Sequence, residues 1–190
     1  MPRLFAGLEI PEDISSELSA LEEPIPGVNW VDEDDLHVTL RFFGDISDAQ
    51  ERDLLDLLDT MDCEAFEVAI DGLGTFGNDP HSIHAIVKET PALSSLARQL
   101  DRIATAIGCP RTKHPFRPHI TVARMSFADP VRLTRFLSRN AVLRFEPFFM
   151  HRFALYSSRP RTGGGPYAIE GLYALRGGLG AGVDEDGNPW

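Results

Sequence analysis

The sequence predicts an α+β fold with antiparallel pairing, built as two pseudo-equivalent lobes. Three observations carry that expectation. Short β-branched and apolar runs mix with amphipathic runs in the order strand, helix, strand, helix, hairpin, helix, strand, helix, strands, which is not the regular alternation of a parallel βαβ sheet. One four-residue pattern occurs twice, as His37-Val38-Thr39-Leu40 and His119-Ile120-Thr121-Val122. Each copy is preceded by one helical run and followed by another, one copy in each half. Beyond this pattern the halves are too dissimilar to establish a duplication.

Taken in order, residues 4–10 are a short apolar strand stopped by Pro11. Residues 11–21 place Ile14, Leu18 and Leu21 at helical spacing behind that proline. Pro24, Pro26 and Gly27 break the helix, residues 28–31 are extended, and 32–35 form an acidic, solvated turn. The first motif strand covers 36–43 and ends at Gly44. Ser47 caps a helix that runs to Met61, marked by Leu54, Leu55, Leu57 and Leu58. Residues 66–70 alternate as a half-buried strand, and 81–88 are its return. Between them the Gly-rich 72–80, with Phe76, reads as a hairpin connection, because it lacks the Lys-Ser/Thr ending and the strand-to-helix setting of a phosphate loop. Residues 91–107 are the clearest helix, with Leu93, Leu96, Leu100 and Ile103 in phase and Gly108 as the stop. An irregular cationic stretch, with Arg111, Lys113, His114 and Arg117, leads into the second motif strand, 119–124. A helix over 129–137 and strands over 141–145, 148–157 and 167–176 complete a single bilobal domain, 1–176. Residues 177–190 are Gly-rich and acidic and read as a flexible tail.

A 43% hydrophobic, 25% charged chain of 190 residues has enough apolar surface for a sizeable core, so disorder is excluded. The net charge of −11 argues against a broad nucleic-acid surface, although a local patch overrides net charge. Cys63 and Cys109 stand far apart with no Cys-x-x-Cys, as expected of buried thiols in a reducing compartment. The chain opens without signal-peptide architecture, and no apolar run is long enough to span a membrane. The expectation is a soluble cytoplasmic monomer.

The repeated pattern carries the chemistry. In a strand, alternate side chains share a face, so His37 joins Thr39 and His119 joins Thr121, above an apolar underside. Imidazole holds or releases a proton near neutrality. Phosphodiester hydrolysis needs a group that takes a proton from water and another that protonates the leaving oxygen, on opposite sides of phosphorus. Two histidines on facing strands meet that requirement, and the Thr hydroxyls can donate to the non-bridging oxygens. The scheme needs neither metal nor cofactor. His81, His84, His114 and His151 sit in no metal-ligand spacing with carboxylates or cysteines.

The chain resembles the two-histidine phosphoesterase superfamily, in particular the RNA 2′,3′-cyclic phosphodiesterase or 2′-5′ RNA ligase (LigT-like) family. The resemblance rests on Arg3-Leu4-Phe5-Ala6, Trp30-Val31, the run from Leu36 to Gly44, Phe116-Arg117-Pro118 with the second motif through Arg124, Ser157, and Gly165-Pro166-Tyr167. It implies a bilobal fold with helices outside and a central cleft that holds both motifs. It also implies His37 as proton donor, His119 as proton acceptor, and Thr39 and Thr121 as phosphate contacts. The family uses an aromatic residue five positions after the first His and an Arg five after the second, which here are Phe42 and Arg124. Strict strand parity puts both on the face opposite the histidines, so either each strand bulges or ends first, or they act from elsewhere. Phe42 either stacks a base or packs in the core, Arg124 needs an anionic partner, and Arg41, on the His37 face by parity, is an alternative phosphate contact. The implied partners are RNA ends or cyclic-phosphate nucleotides. Hydrolysis of the cyclic phosphate to a 2′-phosphomonoester is expected, with 2′-5′ joining as the reverse-type reaction. The alternatives are a phosphodiesterase of a small cyclic nucleotide such as ADP-ribose cyclic phosphate and a non-catalytic RNA-end binder.

Overall fold

In a computed structural model, residues 3–77, 80–112, 114–158 and 167–177 are described. Lys113, the connection expected between the last two strands and the tail expected beyond Gly177 lie outside them. The chain runs β1 (Arg3–Glu9), α1 (Glu12–Ser19), β2 (Val28–Trp30), a 3-10 turn (Glu33–Asp35), β3 (His37–Asp45), α2 (Asp48–Asp59), β4 (Phe66–Val68), β5 (Ile70–Gly74) and β6 (Ser82–Val87). It continues through α3 (Pro91–Ala106), β7 (His119–Met125), α4 (Pro130–Asn140), β8 (Phe148–Met150), β9 (Arg152–Ser158) and β10 (Tyr167–Ala174). The expected α+β architecture is present. The main sheet is antiparallel and open, in the order β10-β9-β1-β3-β7-β6-β5, with β2 added on β7.

This sheet is two half-sheets joined at one seam. β3 and β7, the two motif strands, meet at Val38↔Ile120. The same edge of β7 is taken by β2 from Ala123 to Met125, which leaves β3 no room to continue the ladder. Each half repeats one plan: β1-α1-β3-α2 in the first, β6-α3-β7-α4 in the second. The main core cluster spans both halves. Leu4, Ala6 and Leu8 of β1, Val38 and Leu40 of β3, and Ile120 and Val122 of β7 join it with Leu18, Leu54, Leu58, Leu96, Leu100 and Phe136 of the helices. A second, smaller cluster is mostly aromatic: Phe5 and Tyr156 with Ala154, and Tyr167 against them.

The helix ends follow the sequence. Ser47 and Gln50 form a capping box on α2, while Thr90 and Asp129 cap α3 and α4, each with proline in the first turn. Several strand boundaries differ from expectation. The 66–70 run divides at Ala69, because β4 pairs with β8 while β5 pairs with β6 in the main sheet. The 148–157 run divides in the same way at His151. The expected strand over 141–145 does not form. α4 runs on to Asn140, a turn comes next with the Leu143 amide donating to the Asn140 carbonyl, and Arg144 keeps a lone bridge to Asp71. Gly44 does not end the first motif strand. Its φ of +80° absorbs a bulge at Phe43, and β3 continues to Asp45.

Candidate active site

The motif strands share an irregularity that strand parity does not foresee. Both begin half-buried, buried, half-buried, buried, buried, exposed, buried, so two successive buried residues break the alternation. In β3 the register passes from Gly7↔Thr39 to Ala6↔Arg41 and skips Leu40. In β7 it passes from His84↔Thr121 to Ile83↔Ala123 and skips Val122. One extra residue inverts every later side chain, which returns Phe42 and Arg124 to the histidine face. Phe42 is 54% exposed, 5.3 Å from the Phe5 ring, and so is not a core residue. The same bulge overturns Arg41 as a phosphate contact. It is 7% exposed, its Nε is 2.9 Å from Asp101 of α3, and its other nitrogens donate to the carbonyls of Phe42 and Pro110.

The two imidazoles are anchored alike. His37 Nδ1 lies 2.7 Å from the Asp35 carbonyl, and His119 Nδ1 lies 2.7 Å from the Arg117 carbonyl. A carbonyl only accepts, so each Nδ1 carries a hydrogen and each Nε2 is left to exchange a proton. Antiparallel pairing at Val38↔Ile120 sets His37 across from Thr121 and Thr39 across from His119. The histidines are then diagonal neighbours, whose backbones in a regular sheet stand about 7–8 Å apart, and the charge of His119 is felt at His37.

Their surroundings differ. His37 is packed among Phe5, Tyr156 and Tyr167, with ring centroids 5.0, 5.7 and 5.2 Å away. Burial pushes its pKa down; the Asp35 carbonyl opposes this, and Arg124 and His119 add to the lowering. Arg124 reaches from the second lobe to the Tyr167 hydroxyl, 3.3 Å away, and its charge is felt by both His37 and Asp35. His119 instead faces His84, at 4.3 Å and edge-on, and Phe76, at 5.2 Å. Arg117 stands over the Phe76 ring at 5.7 Å. Of the expected cationic rim, Arg117 is thus placed beside the site, whereas Arg111 and His114 are exposed and, among the described residues, have no contact tying them to it.

A cavity of about 580 Å³ opens beside His37, lined by Glu9, Glu12, Glu33, Asp34 and Asp35 together with Tyr156 and Tyr167. Burial and mutual repulsion raise the Asp35 pKa there. Among the described residues no three His, Cys, Asp or Glu side chains converge as a metal-binding set, and no helix is long and apolar enough to cross a membrane. Sequence reasoning missed Phe5, Phe76, His84, Tyr156 and Tyr167 as members of the site. For Phe5 and His84 the signal was strand parity on the neighbours of the motif strands. For Phe76, in a glycine-rich connection, there was none.

Two anchored imidazoles, two hydroxyls and a guanidinium, carried by two strands that meet at Val38↔Ile120, make a set suited to moving protons at an anion. The chain belongs to the LigT like phosphoesterase family, which matches residues 8–87 and, a second time, 83–167, one motif in each. The double match agrees with the repeated plan of the halves. A protein of Geobacillus stearothermophilus named RNA 2′,3′-cyclic phosphodiesterase is 36% identical over 104 residues, 53% of this chain and 33% of that longer protein. A protein of Methanocaldococcus jannaschii with the same name is 23% identical over 171 residues, 88% of this chain and 97% of its own. The crystal structure of E. coli LigT complexed with 3′-AMP matches with a TM-score of 0.76 at 25% identity, covering 92% of this chain and 98% of that one.

Proposed function

We propose that the protein hydrolyses RNA 2′,3′-cyclic phosphate ends to 2′-phosphomonoesters by acid–base catalysis between His119 and His37, without a metal. The observation that carries this reading is the pair of Nδ1-anchored imidazoles on strands that meet at Val38↔Ile120. His119 Nε2 takes a proton from water as the water oxygen bonds to phosphorus. The bond from phosphorus to the 3′-oxygen breaks, and His37 Nε2–H protonates that oxygen. Thr39 and Thr121 donate to the non-bridging oxygens, Arg124 adds a fixed positive charge, and Phe42 offers an exposed face to a base. With a 5′-hydroxyl in the place of water, the same step forms the bond from the 5′-oxygen to phosphorus, breaks the bond to the 3′-oxygen and gives 2′-5′ joining.

In the free protein burial, Arg124 and His119 favour neutral His37. A phosphodiester anion between the rings acts in the opposite sense, so protonated His37 belongs to the substrate complex. The roles of donor and acceptor rest on the family likeness. The test is turnover of an oligonucleotide ending in a 2′,3′-cyclic phosphate in the presence of EDTA, with the 2′- and 3′-phosphate products resolved. A 2′-phosphate product at an undiminished rate is expected. Loss of turnover with EDTA, or a 3′-phosphate product, overturns the mechanism.

A further inference from the structure

The two lobes can be compared slot by slot. The position paired with the motif threonine is Gly7 in the first lobe (Gly7↔Thr39) and His84 in the second (His84↔Thr121). Gly7 has no room for a side chain: a Cβ there would lie 2.9 Å from the Val38 carbonyl oxygen, 3.3 Å from the Tyr156 ring and 3.6 Å from the His37 ring. The equivalent slot beside His119 is filled by an imidazole that is 5% exposed. Its Nδ1 lies 3.4 Å from Thr121 Oγ1, its Nε2 lies 2.9 Å from Ser82 Oγ, and its ring stacks on Phe76 at 4.6 Å and meets His119 edge-on. None of the proton transfers proposed above uses this group.

We infer that His84 is a positioning residue for the phosphate contact. Its Nδ1–H donates to Thr121 Oγ1 and thereby leaves the Thr121 hydroxyl hydrogen to point at a phosphate oxygen, while its ring holds His119 in place. This rests on the proposed function. Two tautomers fit the distances. With hydrogen on Nε2, the Thr121 hydroxyl donates back into Nδ1 and turns away from the ligand. With hydrogen on Nδ1, the Ser82 hydroxyl donates into Nε2, His84 donates to Thr121, and Thr121 donates to the anion. A phosphate oxygen only accepts, so a bound anion selects the second arrangement. Neutral His84 suits this work: burial, and next the charge of His119, lower its pKa to about 4, so it carries no third positive charge into the site near neutrality.

The test uses two variants and one spectroscopic readout. His84→Phe keeps a ring and removes both nitrogens. His84→Asn keeps an N–H donor near the Nδ1 position. His84→Phe is expected to lower kcat about tenfold, less than the loss of a whole transition-state donor, and His84→Asn to recover most of it. On a Thr121→Val background His84→Phe should then have little further effect, a coupling that a purely structural role would not produce. A full tenfold loss on that background, or wild-type kcat in His84→Phe, overturns the inference. Independently of turnover, long-range ¹H–¹⁵N spectra of the parent saturated with inorganic phosphate should show His84 as the Nδ1–H tautomer. The Nε2–H tautomer overturns the inference even if the enzyme is active. A parent that binds phosphate with His84 in the Nδ1–H form yet turns over no cyclic phosphate refutes the proposed reaction and leaves the positioning role standing.

Discussion

Gly7→Ala tests the claim that the geometry of the seam controls the first imidazole. The added methyl would sit 2.9 Å from the Val38 carbonyl oxygen, against the 3.4 Å at which ordinary contact begins. Relief therefore needs about 0.5 Å of movement (3.4 less 2.9), and the obstructing atom is backbone, which cannot rotate away as a side-chain tip can. Val38 is also the residue through which β3 pairs with β7, and it stands next to His37 in the chain. The strain thus falls on the joint between the half-sheets and on the imidazole beside it. Overpacking of this kind costs about 1–3 kcal/mol. At about 2–4 °C per kcal/mol for a chain of this size, the melting temperature should fall by roughly 2–12 °C. A 1 Å misplacement at a reacting group costs about a hundredfold in rate, so half of that should cost about tenfold in kcat, with a smaller change in KM. Urea unfolding followed by circular dichroism gives the first quantity, and turnover of the cyclic-phosphate oligonucleotide gives the second. Wild-type stability together with wild-type kcat would show that the two strands part freely at Val38, and the argument from the crowded slot would fail.

His37→Ala and His119→Ala should each lower kcat by about 10²–10⁴-fold while leaving the circular dichroism spectrum and melting temperature near wild type. Arg124→Ala should raise the pKa of both His37 and Asp35, since its charge lowers each, and NMR titration of the His37 ring protons reads the first shift. The same variant should lose about 10–100-fold in kcat/KM through the missing phosphate contact, and an unchanged value would remove Arg124 from the site. His84 also couples folding to pH. Its folded pKa, about 4, lies below the unfolded value of about 6.5, so its contribution is complete above pH 6.5 and is lost as pH falls toward 4, to a total of about 3 kcal/mol. His84→Asn should flatten the stability profile across that window, and calorimetry from pH 7 to 4 compares the slopes. Asp101→Ala should destabilise by about 2–4 kcal/mol, because it leaves the Arg41 guanidinium buried without its carboxylate. An unchanged urea midpoint would contradict that.

The helices, the motif strands and the pairing of His with Thr were legible because each rests on a local rule. Ser47, Thr90 and Asp129 cap helices by chemistry confined to one turn, and His37 and Thr39 share a face because they stand two residues apart. The illegible parts depended on partners distant in the chain. Whether residues 66–70 make one strand or two is decided by β8 and β6, and nothing within Phe66-Glu67-Val68-Ala69-Ile70 records that choice. Residues 141–145 have strand-like composition, yet the turn after α4 and the single bridge to Asp71 leave them no ladder.

The bulges show how far sequence symmetry reaches. Leu40 and Val122 are each the third residue after a motif histidine, and each is the residue skipped by the neighbouring strand. Beyond the skipped residue the lobes diverge: Arg41 is driven inward onto Asp101 in one and Ala123 fills the equivalent place in the other, while Phe42 and Arg124 emerge on the histidine face. The strand opposite is also asymmetric, with Phe5 facing Phe42 and Ser82 facing Arg124, then Gly7 facing Thr39 and His84 facing Thr121. One backbone plan therefore presents an aromatic wall around His37 and a mixed one, His84 with Phe76, around His119. An imidazole in an apolar wall resists charge until an anion arrives, as burial does for His37. One repeated strand can thus hold its histidines in unlike surroundings, because the neighbours, and not the motif, decide what each ring packs against.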